Sequence, residues 1–208
     1  MSSGTDALDL QHPTADLLIR AYQRGMFPMA HPETGRVEWY SPDPRGVLPL
    51  DLFHVPKTLA RRARQAPFRI SSDESFEAVM RACSEPAPGR EQTWIDERLV
   101  RAYVELHARG AAHSVEAWLE GELVGGLYGV HLGGAFFGES MFSLPERGGT
   151  DASKLCLVEL VARLQRGGFA LLDTQFWTPH LGRFGCIEIR RDRYMRQLAS
   201  ALSLRGRW

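Results

Sequence analysis

The sequence predicts an α+β fold in which a small N-terminal domain precedes a larger one. Between residues 112 and 142, three strand-like runs are separated by Glu120-Gly121 and Gly133-Gly134, which are hairpin signals. After residue 150 come a helical pattern, the apolar strand FALLDTQ (169–175) and a second helical pattern. An antiparallel meander followed by helix, strand and helix is typical of α+β proteins.

The small domain is expected to span residues 1–44. Thr14 can cap a helix that Gly25 ends, because a hydroxyl satisfies free N–H groups at a helix start and glycine tolerates the left-handed conformation at its end. The Pro-Asp-Pro sequence at 42–44 can neither continue a helix nor lie inside a sheet, since proline lacks the backbone N–H. We therefore place the boundary there and assign residues 45–208 to the second domain.

Apolar residues with helical spacing predict five helices in the second domain, at residues 56–65, 73–84, 96–109, 152–166 and 190–202. Ser71 and Glu74 form a capping-box pattern at the start of the second of these helices. Together with the meander, this is the element order of the N-acyltransferase (GNAT) fold. The likeness is one of fold and does not by itself indicate a function.

The composition is that of an ordinary globular protein and excludes several functional classes. Of the 208 residues, 44% are hydrophobic and 24% are charged, and 25 basic residues balance 25 acidic ones, which argues against a protein coated in nucleic acid. No run reaches the roughly 18 apolar residues of a membrane span, and the N-terminal sequence lacks the pattern of an export signal. We therefore expect a cytoplasmic protein with no membrane partner.

Metal ions and cofactors are not expected. The cysteines at 83, 156 and 186 include no C-x-x-C pair, and the seven histidines include no H-x-H or H-E-x-x-H pair. The glycines at 125–126 are not followed by the Lys-Ser/Thr of a phosphate-binding P-loop. An odd number of cysteines without a framework of spacings also fits a reducing compartment.

Three polar side chains stand in strands that are otherwise apolar. Asp173 and Gln175 are two residues apart in FALLDTQ and so share a face, and Glu139 lies in the strand AFFGESMF. One such acid is often a paired structural residue, but two strands that each offer an acid favour a polar site between them. A carboxylate beside an amide can orient an amine and accept its proton as the amine attacks a carbonyl, which is acyl transfer to nitrogen.

A cluster of basic residues predicts a nucleic-acid contact on the helix at 56–65. Lys57, Arg61 and Arg64 are spaced i, i+4, i+7 and share one helical face, from which Arg62 is excluded. Such a run can also be no more than a solvated helix face. Cations that local acids do not neutralise fit a phosphodiester backbone, and one short stripe suits the end or the stem of a nucleic acid.

Several unusual segments occur in a fixed order along the chain. They are RGMFP (24–28), WYSPDPRGVL (39–48), TWI (93–95), AHSVEAW (112–118), GELVGGLYGV (121–130), FFGESMFS (136–143), DASK (151–154), LLDTQ (171–175) and PHLGRFGCIEIRRDRYM (179–195). Together they closely resemble the leucyl/phenylalanyl-tRNA–protein transferase family, over about residues 14–202.

The resemblance implies a small N-terminal domain on a GNAT-like domain, and an enzyme without a cofactor. Members of the family move Leu or Phe, and less readily Met, from aminoacyl-tRNA to the N-terminal α-amine of proteins that begin with Arg or Lys. The product is marked for degradation by the N-end rule. The resemblance further implies that Asp173 and Gln175 handle the attacking amine and that Glu139 supports the site. We expect the enzyme to be a monomer.

The resemblance also assigns contacts to the aminoacyl-tRNA. The transferred side chain would occupy an apolar pocket lined by Leu127, Phe136, Leu157, Leu160, Leu164 and Leu172. Trp94 would stack near the 3′ end of the tRNA, and the acceptor stem would meet Lys57, Arg61 and Arg64. Met29 stands where the family commonly has Trp at the same 3′ end, so the chain departs from the family pattern in that contact.

Two other functions fit parts of the sequence. An acyl-CoA-dependent N-acyltransferase of the same fold needs a glycine-rich loop whose amides hold pyrophosphate at a helix N-terminus. Residues 147–151 (RGGTD) lie in that place, but Asp151 would cap the helix itself and repel phosphate. A non-catalytic protein that binds RNA ends would explain the basic stripe but would leave Asp173, Gln175 and Glu139 without a purpose.

Overall fold

The structure, a computed structural model, describes residues 10–86 and 91–208. Its helices are α1 (Ala15–Tyr22), α2 (Lys57–Arg64), α3 (Phe76–Ser84), α4 (Glu97–Ala108), α5 (Ala152–Arg166), α6 (Pro179–Gly182) and α7 (Arg191–Leu202). Its strands are β1 (Phe27–Ala30), β2 (Val37–Tyr40), β3 (Arg45–Val47), β4 (Arg69–Ser72), β5 (Ala112–Leu119), β6 (Glu122–Leu132), β7 (Ala135–Ser143), β8 (Leu171–Gln175) and β9 (Ile187–Ile189).

The main sheet has seven strands in the order β4-β5-β6-β7-β8-β3-β9. Strands β7 and β8 are parallel, and every other neighbouring pair in it is antiparallel. Strands β1 and β2 form a separate antiparallel pair. The predicted meander is β5, β6 and β7, and the predicted α+β class is confirmed.

The helices begin and end close to where the apolar spacing predicts. The five helices predicted beyond residue 45 appear as α2, α3, α4, α5 and α7, with ends within three residues of the expected ones. Thr14 caps α1 as expected, since its Oγ1 accepts a hydrogen bond from the Leu17 N–H at 3.2 Å. The capping box expected at Ser71 is wrong. Ser71 lies in β4 and its hydroxyl donates to Glu116 at 2.6 Å, so α3 begins only at Phe76.

The sheet separates two apolar layers. One layer contains α1, α3, α4 and α7, and the other contains α2 and α5. Leu18, Tyr22 and Phe27 share the first layer with Leu99 and Phe137, so the residues before 44 are packed into the core of the main sheet. The division of the chain at residue 44 stays a prediction. Within residues 10–86 and 91–208, no helix is both long and apolar enough to cross a lipid bilayer.

Two irregularities in the strands shape the centre of the sheet. The pairing of β7 with β8 runs only from Ala135 with Leu171 to Phe137 with Asp173. The register of β7 against β6 shifts next to Gly138, which leaves Glu139 opposite no residue of β6. Such a β-bulge turns a side chain away from the alternation of the strand and is frequent beside active sites. Beyond Phe137 and Asp173 the two parallel strands are no longer paired, and a cavity lies between their ends.

Candidate active site

The cavity at the ends of β7 and β8 has a volume of about 270 Å³. Four residues of the predicted apolar pocket line it, namely Leu127, Leu157, Leu160 and Leu172, and Met141 lines it as well. An apolar cavity of roughly 150 Å³ is enough to hold a benzene molecule. The cavity therefore has room for a large aliphatic or a benzyl side chain.

Phe136 and Leu164, which were also predicted for the pocket wall, are not among the residues that line this cavity. Both side chains are fully buried in the second apolar layer, and Phe136 stacks on Trp208 with 5.3 Å between the ring centroids. The bulge at Glu139 explains why Met141 lines the cavity, where the sequence predicted Phe136. Uninterrupted alternation would put residue 141 on the face opposite Phe136, but the extra residue moves Met141 to the same face as its β6 partner, Leu127.

Glu139 is a half-buried carboxylate at the mouth of this cavity. The hydroxyl of Tyr22 donates to Oε1 at 2.6 Å, the hydroxyl of Tyr103 donates to Oε2 at 3.3 Å, and the Gln175 Nε2 donates to Oε1 at 3.2 Å. Burial raises the pKa of Glu139 to about 8, against the opposing effect of the hydrogen bond from Tyr22, and the charge of Asp173 raises it further. A carboxyl group with such a pKa can both accept and release a proton near neutral pH.

Gln175 reaches the cavity from the last position of β8. Its backbone is left-handed, with φ of 57°, which is uncommon for a residue other than glycine and is found preferentially at functional sites. The side chain lines the cavity and the backbone N–H donates to Asp173 Oδ1 at 2.9 Å. Gly46 permits this turn, since a Cβ there would lie 2.5 Å from the carbonyl carbon of Phe176.

Asp173 is not among the residues that line the cavity, and its expected role in handling the amine stays a prediction. The carboxylate is fully buried and receives two hydrogen bonds from Arg45, at 2.9 Å to Oδ1 and 2.7 Å to Oδ2. The hydroxyl of Tyr194 donates to Oδ2 at 2.7 Å. Each carboxylate oxygen therefore accepts two hydrogen bonds, one of them from the Gln175 N–H. Because its acceptor sites are filled in this way, Asp173 can hold the end of β8 in place but has no free lone pair for an amine.

Arg45 fixes the Asp173 carboxylate and was not among the residues predicted for the site. Its guanidinium is fully buried between the rings of Phe27 and Tyr194, at 4.9 and 4.7 Å from their centroids, and its third nitrogen donates to the Gly25 carbonyl. Tyr103 and Tyr194 were also missed because each has the helical spacing of an ordinary core residue. The only signal for Arg45 is its position inside the segment WYSPDPRGVL.

The basic stripe predicted on α2 lies on the surface. Lys57, Arg61 and Arg64 are exposed, and in the described part of the chain no carboxylate pairs with them. Arg62 turns away from the stripe, with its guanidinium 5.9 Å from the centre of the Phe68 ring. The face thus presents three cations to solvent, none of which has a carboxylate partner among residues 10–86 and 91–208.

The two expected 3′-end contacts lie together on the side of the N-terminal strands. The backbone N–H of Ala30 donates to the Trp94 carbonyl at 3.0 Å, which joins β1 to the segment before α4. Trp94 and Met29 are both half-buried against the first apolar layer, and neither is among the residues that line the cavity. The structure does not bring them into direct contact with Glu139 or Gln175.

A histidine cluster absent from the sequence expectations lies at the far edge of the sheet. Asp73, His107 and His113 place potential metal ligands within 4.8 Å of one another. The ring nitrogens are used within the protein, since His113 Nδ1 lies 2.8 Å from Asp73 Oδ2 and His107 Nδ1 lies 2.8 Å from the Ala112 carbonyl. These contacts describe a hydrogen-bonded network that ties α4 and β5 to the segment after β4.

The loop that an acyl-CoA enzyme would use is closed by its own residues. Asp151 precedes α5 in the left-handed conformation and its carboxylate pairs with Lys154. A Cβ on Gly149 would lie 2.3 Å from the Val124 carbonyl oxygen, so the loop is packed directly on β6. A carboxylate at the helix start opposes the binding of pyrophosphate there.

The chain matches family models over most of its length. Residues 47–199 match the model described as leucyl/phenylalanyl-tRNA protein transferase, and residues 12–43 match that of its N-terminal domain. A protein of this name from Paramagnetospirillum magneticum is 58% identical over 191 residues, which cover 91% of this chain and 90% of the relative. The protein of the same name from Salinibacter ruber is 52% identical, with 94% of this chain and 83% of the relative covered.

Solved structures with a similar arrangement of elements have little sequence identity to this chain. L-PGS from Bacillus licheniformis is 13% identical with a TM-score of 0.44, over 80% of this chain and 55% of that one. The ribosomal-protein-alanine N-acetyltransferase from Brucella melitensis is 17% identical with a TM-score of 0.39, over 56% of this chain and 85% of that one.

Proposed function

The chain belongs to the leucyl/phenylalanyl-tRNA–protein transferase family, and from that premise we propose that it moves Leu or Phe, and less readily Met, to the N-terminal α-amine of proteins beginning with Arg or Lys. The family establishes the reaction class: an aminoacyl group passes from tRNA to a protein, so the chain is a transferase. The choice of acceptor, the marking of products for the N-end rule, the cytoplasmic location and the monomeric state belong to the proposal.

The observation that carries the proposal is the composition of the cavity. Leucine side chains and Met141 surround a space that fits a leucyl or phenylalanyl side chain, while Glu139 and Gln175 stand at its mouth. An aminoacyl group bound with its side chain inside the cavity would present its ester carbonyl to these two polar groups. A protein amine that reaches the same place would meet the carbonyl and a proton acceptor together.

The reaction then needs alignment and one proton acceptor. The amine nitrogen attacks the ester carbonyl carbon, a C–N bond forms, and the bond from carbon to the ribose oxygen breaks. Ionised Glu139 takes the proton from the amine and passes it to the leaving ribose oxygen. The pKa of about 8 suits this exchange, because a protein α-amine has a pKa of about 7.7–8.0. The Gln175 carbonyl can accept the second N–H of the amine, since its Nε2 already donates to Glu139.

Asp173 contributes by positioning Gln175. Its carboxylate holds the backbone N–H of Gln175 in the left-handed turn and is itself fixed by Arg45 and Tyr194. Because an aminoacyl ester is already activated, alignment of the reacting groups can supply roughly 7–11 kcal/mol of the barrier reduction. A residue that fixes this alignment affects the rate without touching the substrate.

The exposed stripe on α2 is proposed to contact the acceptor stem. Replacing Lys57, Arg61 and Arg64 with Gln should weaken tRNA binding and lower the slope of log K against log salt by about one for each cation. Fluorescence titration at several salt concentrations measures both quantities. Arg62→Gln is the matched control, because Arg62 faces Phe68. An unchanged slope in the triple variant would remove α2 from the tRNA contact.

Selectivity between Leu and Phe should depend on residues of the cavity wall and not on those behind it. Leu160→Ala enlarges the cavity and should change the ratio of the two kcat/KM values by roughly 10- to 200-fold, which corresponds to about 1–3 kcal/mol of transition-state binding. Leu164→Ala creates a comparable hole in the same helix behind the wall, so it should cost about 2–5 kcal/mol of stability but leave the ratio unchanged. Competition assays with both aminoacyl-tRNAs provide the ratios, and equal shifts in the two variants would contradict this assignment.

The direct test of the function is transfer of radiolabelled Leu from leucyl-tRNA to a model protein that begins with Arg. The same protein with an N-terminal Ser is the matched acceptor, and ribonuclease treatment of the donor is the matched control for tRNA. We expect label to enter the Arg protein only, and only from intact donor. Label in both acceptors would reject the proposed acceptor choice, and no transfer at all would reject the function.

A further inference from the structure

A second, smaller cavity of about 110 Å³ adjoins the aminoacyl cavity. His180 forms part of the wall of both cavities. Thr58 of α2 also lines the small cavity, together with Asp151 and Lys154 at the start of α5 and Arg183 after α6. The small cavity therefore lies between the basic helix and the place proposed for the aminoacyl group.

The polar side chains of this small cavity carry an excess of positive charge. Lys154 and Arg183 are close enough to His180 that, after burial, their charges lower the pKa of its imidazole. Of the described residues that form the wall, Asp151 alone carries a carboxylate, and it pairs with Lys154. Arg183 is exposed, and within the ranges that the structure describes it has no ion-pair partner.

His180 adds a free hydrogen-bonding group to these cations. Its ring is half-buried and packs edge-on against Phe184, with 5.5 Å between the centroids. No group in the described part of the chain makes a hydrogen bond to either ring nitrogen. A neutral imidazole can donate one N–H to an oxygen, and guanidinium and ammonium groups are the side chains that bind phosphate oxygens.

The position of the small cavity fits one particular segment of the aminoacyl-tRNA. The aminoacyl group is esterified to the terminal ribose, so an aminoacyl side chain inside the aminoacyl cavity would hold that ribose at the mouth of the cavity. Because His180 lines both cavities, the 5′-phosphate of the same nucleotide could reach the small cavity. If α2 meets the acceptor stem as proposed, the strand would continue from there toward the stripe that begins at Lys57, beside Thr58.

We propose that Lys154, His180 and Arg183 bind the phosphodiester that joins the last two nucleotides of the aminoacyl-tRNA. The inference rests on the proposed function and adds a phosphate site between the cavity proposed for the aminoacyl group and the basic stripe on α2. Lys154 and Arg183 supply charge, His180 supplies an N–H at the wall shared with the aminoacyl cavity, and Asp151 orients Lys154. The site fixes the terminal ribose, and through it the ester carbonyl, in front of Glu139 and Gln175.

The test uses three donors that carry the same amino acid. They are leucyl-tRNA, a leucylated CCA trinucleotide and 3′-O-leucyl-adenosine, of which only the last lacks the phosphodiester. The variant Lys154→Gln/Arg183→Gln should raise KM for the tRNA and for the trinucleotide by roughly 10- to 100-fold. Its KM for leucyl-adenosine should stay within about twofold of the wild-type value, because that donor makes no phosphate contact.

Controls separate charge, folding and function. Arg36→Gln/Arg166→Gln removes two exposed cations elsewhere and should leave all three KM values unchanged. Arg183→Gln alone removes an exposed side chain and serves if the double variant unfolds, and Arg183→Lys should restore part of the loss.

The outcomes of the test are distinct. Equal losses with leucyl-adenosine and the trinucleotide would show that the residues support the cavity and not a phosphate, and no loss with any donor would also overturn the proposal. Wild-type protein that uses leucyl-adenosine and the trinucleotide equally well would overturn it without affecting the proposed function. Wild-type protein that transfers leucine from none of the three would reject the function itself.

Discussion

Two carboxylates on the adjacent strands β7 and β8 occupy opposite surroundings. Asp173 is fully buried and is met by a guanidinium, a phenol and a backbone N–H. Glu139 stands at the cavity mouth, where it accepts hydrogen bonds from two phenols and an amide, none of them charged. Environment, and not residue type, therefore separates a carboxylate that fixes structure from one that can exchange a proton.

The largest effect should come from breaking the buried pair. Arg45→Met leaves the Asp173 charge without its cation and should lower the free energy of unfolding by about 3–5 kcal/mol, as measured by urea denaturation. Arg69→Met removes an exposed pair with Glu74 and should change stability little.

The double variant Arg45→Met/Asp173→Leu sharpens this comparison. It removes both charges together and should recover much of the lost stability, since apolar replacements of a buried pair are often tolerated. It should remain slow in transfer, because Gln175 has lost the acceptor for its backbone N–H. A double variant with wild-type transfer would show that Asp173 does not position Gln175.

The second-largest effect should be the loss of transfer rate in Glu139→Gln, with the fold unchanged. Glu139→Gln keeps the shape of the side chain but removes the proton acceptor, so kcat/KM should fall by about 10²- to 10⁴-fold. Wild-type transfer should rise with pH up to about 8 as Glu139 ionises, whereas the rise that remains in the variant reports the acceptor amine alone. Glu188→Gln on β9 is the matched control, and a loss confined to KM would contradict the role.

The smallest effect concerns stability against pH. The pKa of Glu139 is raised to about 8, above the value of about 4.3 for an unfolded chain. Between these values the folded state binds more protons, so the free energy of unfolding should fall as pH rises from about 4 to about 8. Glu139→Gln removes this fall and should be more stable than wild type at pH 8.5 by roughly 1–3 kcal/mol, allowing for solvent screening. Curves of Tm against pH that run parallel for wild type and Glu139→Gln would show that Glu139 does not cause the fall in stability.

The elements with a periodic apolar pattern were predictable from the sequence, and those held by distant partners were not. The helices and the meander follow from local spacing. Strands β3, β4 and β9 have three or four residues each, and only their ladder partners define them, as when Arg45 pairs with Ile189. The hairpin of β1 and β2 was missed because its prolines suggested a loop.

In the candidate site, too, residues with a local signal in the sequence could be predicted, and residues defined by distant partners could not. Glu139 and Gln175 could be found because a polar residue in an apolar strand demands an explanation. The ion pair of Asp173 could not be predicted, since its cation, Arg45, is 128 residues away in sequence and directly follows the Pro-Asp-Pro boundary. Met141 was missed because a bulge leaves no signature in one sequence.

Helix α5 contributes to the cavity in a way that separates two properties of the enzyme. Leu157 and Leu160 reach the cavity from α5, whereas Glu139 and Gln175 come from the ends of β7 and β8. Under the proposed function, a change to the helix face would alter the size of the accepted side chain and leave the strands that carry Glu139 and Gln175 as they are. Variants of α5 are then a route to transferases that accept non-natural amino acids.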